Sequence, residues 1–186
     1  MHSSECEIED GSRISGLRGA GLKDITCKSV HIPVDRLMPA STTLIPYGAL
    51  LVLVIVGPVI GGSQAAVGEF RKELRGSSDQ SLLLQLAEAS AEIDTARTLV
   101  LVDADILDIN PAPNSFITAR ILRDTAYAAR LCNRATQRLV EASGSSDLHE
   151  NSDIQRILRD VTAACGHSRL RWEGQSLPYA HMLVGR

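Results

Sequence analysis

The sequence predicts an all-α protein, a four-helix up-and-down bundle preceded by a short β remnant. Apolar residues make up 44% of the 186 residues but aromatic residues only 3%, and this Leu, Ile, Val and Ala content suits close helix packing. Apolar residues also recur at steps of three and four along the later part of the chain. We therefore expect a short N-terminal segment, residues 1–40, and a helical bundle domain, residues 41–186.

The N-terminal segment has the composition of one or two short strands. Residues 16–33 read GLRGAGLKDITCKSVHIP, in which the β-prone residues Ile25 and Cys27 alternate with polar ones ahead of Pro33. Strands this short have no core of their own, so we expect them to need further strands or a helix to pack against.

The first predicted helix, residues 47–75, is apolar enough to cross a membrane. No charged residue occurs between Arg36 and Glu69, and the run 44–62 is as long as a bilayer span. A helix in the middle of a bundle, buried on all its sides, has the same composition. We favour this interpretation over a membrane anchor because the later helices need an apolar partner. The run also offers more apolar surface than a small bundle covers, which predicts a homodimer or homotetramer.

The second predicted helix, residues 79–109, has a regular apolar seam. Its members alternate steps of four and three, which places them on one face of a helix in a left-handed bundle. The seam consists of Leu82, Leu86, Ala89, Ile93, Ala96, Val100, Asp103 and Leu107. Asp103 is its one polar member, and we expect this carboxylate to reach solvent or a neighbouring arginine.

Two further helices are predicted, residues 115–143 and 152–165. The first of them would begin with Ser115 as its N-cap, and the second with a capping box of Ser152 and Gln155. The helix 115–143 has a seam opposite an arginine-rich face, which we expect to be solvated, with some arginines paired to acidic groups on neighbouring helices or on another subunit. That seam consists of Ile121, Thr125, Ala128, Cys132, Ala135, Leu139 and Ala142.

Charge and cysteine usage argue against several classes of function. The net charge is −3, with 19 basic and 22 acidic residues spread along the chain, so no strong field favours nucleic acid. The four cysteines lack the spacing of a zinc site, so we expect no metal and reduced thiols. Acidic residues among the first ten argue against an export signal, and we expect a cytoplasmic protein.

The candidate chemistry lies near the C-terminus. The sequence has no P-loop, nucleophile elbow or zinc-protease motif. His167 follows the predicted end of the fourth helix, where it would be either a general acid or base facing a cleft or a helix C-cap. The tail after it contains the only tryptophan, Tyr179 and His181, and we expect this tail to fold onto the bundle.

The order of these pieces resembles the C-terminal half of the acyl-CoA dehydrogenase-fold flavoproteins, nearest to their two-component flavin-dependent monooxygenase branch. The stretch GLRGAGLKDITCKSVHIPVDRLM resembles the end of the family's middle β-domain, and QRILRDVTAACGH with the closing LVGR resembles its last helix. The similarity covers residues 16–186, and the family's N-terminal helical domain and most of its β-domain lie outside it. The turn has Ala20 and Leu22 where the family has hydroxyl residues.

The resemblance implies a flavoprotein that hydroxylates or oxidises a small organic substrate. The cofactor would be reduced FMN or FAD, taken from a separate flavin reductase. His167 would then be catalytic, either polarising the substrate or helping to form the flavin hydroperoxide.

By the same resemblance we assign the remaining site residues. Arg18, Lys23 and Arg75 are expected to bind the cofactor, and Tyr179 and His181 the substrate. The alternative is a non-catalytic oligomerisation or partner subunit with no flavin site of its own. Flavin binding by the purified chain separates the two.

Overall fold

Five helices make up most of the part of the chain that the computed structural model describes, residues 6–10, 15–21, 23–37, 48–144 and 152–185. They are α1 (Gly48–Glu73), α2 (Gln80–Ile109), α3 (Ser115–Ser143), α4 (Asp153–Cys165) and α5 (Trp172–Leu183). The first four confirm the predicted helices and the all-α bundle. Leu22, the predicted helix start at residue 47 and the boundary at residues 40 and 41 lie outside the described residues, so the division into two parts stays a prediction.

The central helix of the bundle is α3, which contacts each of the other four helices. Small buried residues such as Ala128 and Ala135 let these neighbours approach closely.

The prediction that the apolar first helix is buried on all sides is wrong. One face of α1 meets α2, α3 and α4, whereas Leu50, Leu51 and Val54 on its other face are 50%, 42% and 66% exposed.

A buried chain of hydroxyl groups joins α1 to α3. Thr136 Oγ1 donates to Ser63 Oγ at 3.0 Å, and Ser63 Oγ lies 3.0 Å from the carbonyl oxygen of Val59 and 3.3 Å from that of Cys132. Because both hydroxyls have partners, the two helices can bury them without an unsatisfied donor.

The seam predicted for α2 is confirmed. Ala89, Ile93, Ala96 and Leu107 are buried, and Leu82, Leu86 and Val100 pack against the core while partly exposed. The steps of three and four therefore identified the face that meets the rest of the bundle.

Two predicted helix caps differ from the structure. The N-cap of α3 is Asn114 rather than Ser115, since Asn114 Oδ1 accepts a hydrogen bond from the N–H of Ile117 at 2.9 Å. Asn and Ser are comparable caps, so sequence alone does not separate adjacent ones. Ser152 is the N-cap residue of α4, but its side chain makes no capping hydrogen bond, so the predicted box with Gln155 is incomplete.

The N-terminal segment contains an antiparallel hairpin, β1 (Glu7–Asp10) and β2 (Lys23–Thr26). Strand β2 lies within the predicted region, whereas β1 was not predicted because its sequence, EIED, has low β-propensity. The expected packing of the strands is not seen, since the side chains of β2 and of residues 7–9 are exposed, and the segment instead contacts α4 just before β2. The N–H of Leu17 donates to Asp160 Oδ1 on α4 at 2.6 Å, and Gly16 beside it is buried.

Candidate functional site

His167 lies in the turn between α4 and α5. Its backbone N–H donates to the carbonyl of Ala164 at 3.1 Å, so its main chain helps to cap α4. Its ring nitrogen Nδ1 accepts a hydrogen bond from the N–H of Arg169 at 3.2 Å. That bond needs the lone pair of Nδ1, so a neutral ring carries its hydrogen on Nε2. The side chain is exposed, which leaves Nε2–H available as a donor.

The backbone that carries His167 is anchored to the bundle. Leu170, three residues later, is only 3% exposed and belongs to the main core. Gln175 Nε2 on α5 donates to the carbonyl of Ser168 at 3.3 Å. An accessible imidazole therefore stands on a fixed turn.

Aromatic contacts hold α5 along α3. The ring centroids of Trp172 and Tyr127 are 5.6 Å apart, and those of Tyr179 and Phe116 are 5.3 Å apart. The guanidinium carbon of Arg123 lies 4.0 Å from the centroid of Tyr179. The predicted folding of the tail onto the bundle is confirmed, and the half-buried Tyr179 ring contributes to that packing.

Asp103 on α2 is a buried carboxyl, contrary to the prediction that it reaches solvent. It is 0% exposed, and neither of its oxygens has a hydrogen-bond partner among the residues that the structure describes. Burial, followed by the nearby Asp124, raises the pKa of Asp103 to about 7, although Arg120 and Arg123 act to lower it. Both arginines bond to Asp124 instead, with Nε to carboxylate distances of 3.4 and 2.6 Å.

Two arginines on the face of α3 that was predicted to be arginine-rich form ion pairs with α2. Arg134 Nη2 and Arg138 Nη2 lie 2.7 and 2.9 Å from Glu92 Oε1 on α2, and Arg138 Nη1 lies 2.7 Å from Glu88 Oε2. The expected pairing with acidic groups of a neighbouring helix is confirmed. The expectation of a solvated face holds for Arg130 and Arg134, whose side chains are exposed, and fails for Arg138, which is 22% exposed.

The N-terminal site residues lie on the segment that docks on α4. Arg18 begins a short 3-10 turn directly after Leu17, and Lys23 begins β2, both with exposed side chains. The N–H of Leu17 bonds to Asp160, which lies on α4 seven residues before His167. The predicted substrate residue His181 is exposed on α5, the helix that follows His167.

Arg75 stands apart from these residues. It follows Leu74, which lines a cavity of about 280 Å³ together with Ser143 at the C-terminal end of α3. Tyr179 instead contacts Phe116 at the N-terminal end of α3. The two ends of this helix are roughly 40 Å apart at about 1.5 Å per residue, so Arg75 and Tyr179 do not share one site within a chain.

The exposed side chains among these residues can contact an anionic or polar ligand. The cations of Arg18 and Lys23 suit a phosphate group, and the Nε2–H of His167 suits an oxygen acceptor on a ring or a substrate.

In the part of the chain that the structure describes, no group of three or more His, Cys, Asp or Glu residues could hold a metal ion. The helix Gly48–Glu73 has the length and composition of a membrane span, as the core helices of soluble proteins also can.

Together these features define a helical-bundle domain with a two-stranded hairpin, in which the chain just before β2 contacts the fourth helix. The sequence profile of the family described as acyl-CoA dehydrogenase, C-terminal domain, matches residues 53–172. The chain belongs to this family.

The chain is similar to the oxygenase subunit HsaA of a flavin-dependent monooxygenase from Mycobacterium tuberculosis, with 29% identity over 89% of this chain and 50% of that protein. The crystal structure of HsaA from the same organism has a TM-score of 0.86 at 25% identity, covering 100% of this chain and 55% of the other. XiaF from Streptomyces sp., solved with FADH2 and glycerol, has a TM-score of 0.88 at 21% identity, covering 98% and 54%. The chain thus spans about half the length of these relatives.

Proposed function

We propose that this chain forms the C-terminal half of an oxygenase of the two-component flavin-dependent monooxygenase type, acting in the cytoplasm on a small organic substrate. The observation that carries the proposal is the bond from the N–H of Leu17 to Asp160. It holds a basic segment against the helix that leads to His167, so residues suited to a phosphate and to proton transfer are fixed to the same element. The similarity to HsaA over 89% of the chain supports the same assignment.

In this function the chain's own residues bind and orient. A reduced flavin, FMN or FAD, supplies when bound the electrons that activate oxygen, and a separate reductase delivers it. Arg18 and Lys23 bind its phosphate, since their side chains are exposed cations on an anchored segment. His167 holds a proton on Nε2 because Nδ1 is occupied by the N–H of Arg169, and it donates that hydrogen to a substrate oxygen.

Tyr179 and His181 have different roles in the proposal. The Tyr179 ring is held between Arg123 and Phe116, so Tyr179 shapes the substrate side by packing, whereas the exposed His181 offers a polar contact. Arg75, at the other end of the bundle, serves a flavin only in a second copy of the chain. The proposed function therefore includes a homo-oligomer, a dimer or a tetramer.

A specific observation favours a second candidate, an oligomerisation or partner subunit with no flavin site of its own. Large apolar side chains are exposed on α1 and α2, and exposed apolar surface of this extent is typical of interfaces. They are Leu50, Leu51, Val54, Leu83, Leu84, Leu101, Val102 and Ile109. Both candidates predict self-association, so sedimentation that gives a monomer at micromolar concentration would contradict both.

Flavin titration of the purified chain separates the two candidates. We expect reduced flavin to bind, and Arg18→Ala to weaken its binding about tenfold, because a hydrogen bond to a charged group contributes roughly 1.5 to 3 kcal/mol. Arg97→Ala, which removes an exposed arginine from α2, is the matched control and should leave the affinity unchanged. Equal affinity of the Arg18 and Arg97 variants would remove Arg18 from the site, and no binding of FMN or FAD would favour the oligomerisation subunit.

A further inference from the structure

Two cysteine side chains meet at the open end of the N-terminal hairpin. The sulfur atoms of Cys6 and Cys27 lie 2.8 Å apart. The last pair of the ladder on this side is Glu7 opposite Thr26, so Cys6 and Cys27 occupy the next directly opposed position. Directly opposed residues of antiparallel strands have Cβ atoms only about 4.5 to 5.5 Å apart, which approaches the separation that a disulfide spans.

The surroundings of the pair keep the two strands in register. Lys28 Nζ lies 2.9 Å from Glu7 Oε2, so an ion pair links the residues that follow each cysteine. Cys27 is exposed and Cys6 is half-buried, so a small reagent in solution can reach both sulfur atoms.

The other two cysteines differ from this pair. Cys132 is fully buried on α3, and Cys165 is half-buried at the end of α4, with its sulfur 3.5 Å from the carbonyl of Ala129. Burial raises the pKa of Cys132 to about 11 and that of Cys165 to about 12. Because the thiolate is the reactive form, these two thiols are the less reactive ones and serve as internal controls.

We propose that Cys6 and Cys27 form a reversible disulfide that fastens β1 to β2, made by exchange with a low-molecular-weight disulfide such as oxidised glutathione. One cysteine loses its proton, and its thiolate attacks the small disulfide, forming a mixed disulfide and releasing one small thiol. The second cysteine, also as thiolate, attacks the protein sulfur of that mixed disulfide and releases the second small thiol. The two cysteines are oxidised by two electrons, and the small disulfide is reduced to two thiols.

The disulfide has a direct consequence for the docked segment. It closes a covalent loop that contains Gly16, Leu17 and Arg18, the residues at the contact with α4. Closing a loop removes open conformations of the segment, so the oxidised hairpin stays on the helix for a larger fraction of time. A dithiol reagent restores the open conformations. The inference concerns the hairpin alone and does not depend on flavin binding.

The test compares the whole chain after incubation with oxidised glutathione or with a dithiol reductant, by thiol counting and by mass spectrometry of unreduced peptides. We expect oxidation to remove two of the four thiols and to give one linked peptide pair, Cys6 with Cys27, lighter by two hydrogens. Trypsin cleavage after Arg18 and Lys23 should slow severalfold on oxidation and recover on reduction. Cys165→Ser, the matched control, should behave in the same way with one thiol fewer.

Cys6→Ser and Cys27→Ser should each abolish both the linked peptide and the change in trypsin cleavage, while circular dichroism confirms that the helices persist. Retention of all four thiols, separate glutathione adducts on each cysteine, or linkage only between two chains would overturn the proposal. Trypsin protection on oxidation that persists in Cys6→Ser would overturn the role of the disulfide in holding the segment.

Discussion

Arg138 on α3 bonds through Nη2 to Oε1 of Glu92 on α2, at 2.9 Å, and Glu92 is only 9% exposed. Arg134 bonds to the same oxygen at 2.7 Å, but its side chain is 56% exposed, whereas that of Arg138 is 22% exposed. The same acceptor thus has one partner that is largely desolvated and one that is largely solvated.

Because of this difference, we expect the removal of either arginine side chain to lower the free energy of unfolding by a different amount. We expect Arg138→Ala to lower the free energy of unfolding by roughly 2 to 4 kcal/mol, because it removes the better buried partner of a buried carboxylate and its link to Glu88. Arg134→Ala should cost less than about 1 kcal/mol, as for exposed ion pairs. Urea denaturation of both variants measures the difference, and equal losses would contradict the ranking.

The seam of α2 predicts a graded response to truncation. Ile93 is 2% exposed, Leu86 is partly buried, and Leu84 is 70% exposed. We expect Ile93→Ala to cost roughly 2 to 5 kcal/mol, Leu86→Ala about half of that, and Leu84→Ala close to nothing. Chemical denaturation tests this order, and a cost for Leu84→Ala as large as that for Ile93→Ala would mean that the exposed face of α2 is covered in solution.

Asp103 predicts a loss of stability as pH rises. In the folded chain its pKa is raised to about 7, mainly by burial, so the folded state binds a proton that the unfolded state releases near its ordinary value. The free energy of unfolding therefore falls as the pH rises from the pKa of Asp103 in the unfolded chain to its pKa in the folded chain. At higher pH it stays lower, by an amount on the order of a few kcal/mol.

Denaturation curves of Asp103→Asn at a series of pH values test this prediction. The variant should lose most of the decline in stability between acid and neutral pH. Asp105→Asn removes an exposed carboxylate two residues along α2 and should keep the decline. Identical pH profiles for the unsubstituted chain and Asp103→Asn would show that the carboxyl is solvated.

We expect one methyl group added at Gly16 to release the N-terminal segment from α4. A Cβ atom at this position would lie 2.0 Å from the carbonyl oxygen of Arg159, and backbone cannot yield as a flexible side chain can. Gly16→Ala should therefore detach the segment and accelerate trypsin cleavage after Arg18 severalfold. Gly19→Ala, where a Cβ would meet nothing, is the control, and equal cleavage of the two variants would contradict the docking.

We expect substitution of His167 to lower turnover much more than it lowers folding stability. With flavin and reductase supplied, His167→Ala should lower hydroxylation about 10²-fold to 10⁴-fold, because it removes the Nε2 hydrogen. Its stability should change by about 1 kcal/mol or less, since the backbone of His167, not the ring, bonds to α4. His31→Ala removes an exposed histidine of the N-terminal segment and is the matched control. A lower melting temperature with full turnover would make His167 structural.

An uncharged apolar run predicted α1 and local periodicity predicted α2, α3 and α4, but neither signal predicted α5. The steps of three and four in α2 and α3 identify the buried face of each helix. The length over which these steps continue indicates where each helix begins and ends. The last helix contains Gly174 and Pro178 and has no clear apolar period, and its stability comes from Trp172 and Tyr179 packing against α3. Such contacts join residues far apart in sequence, so no local pattern records them.

The same limit applies to Asp103 and to the hairpin. A carboxylate near the end of an apolar seam can point to solvent or into the bundle, and α3 decides this by occupying its own arginines with Asp124. Strand β1 exists because β2 pairs with it, although its own residues disfavour a strand. Of the candidate site, the residue types and the position of His167 were predictable, whereas the contact of Leu17 with Asp160 was not.

Trp172 is the only tryptophan of the chain, and its ring stands 5.6 Å from that of Tyr127 at the first turn of α5. Excitation of tyrosine is transferred efficiently over so short a distance, so the emission of this single indole reports whether the last helix rests on α3. Detachment of α5 would shift that emission to the red while the far-ultraviolet dichroism of the other helices stays unchanged. The chain therefore contains a native optical probe of its own C-terminal helix, and of the fixed turn that precedes it, without any added label.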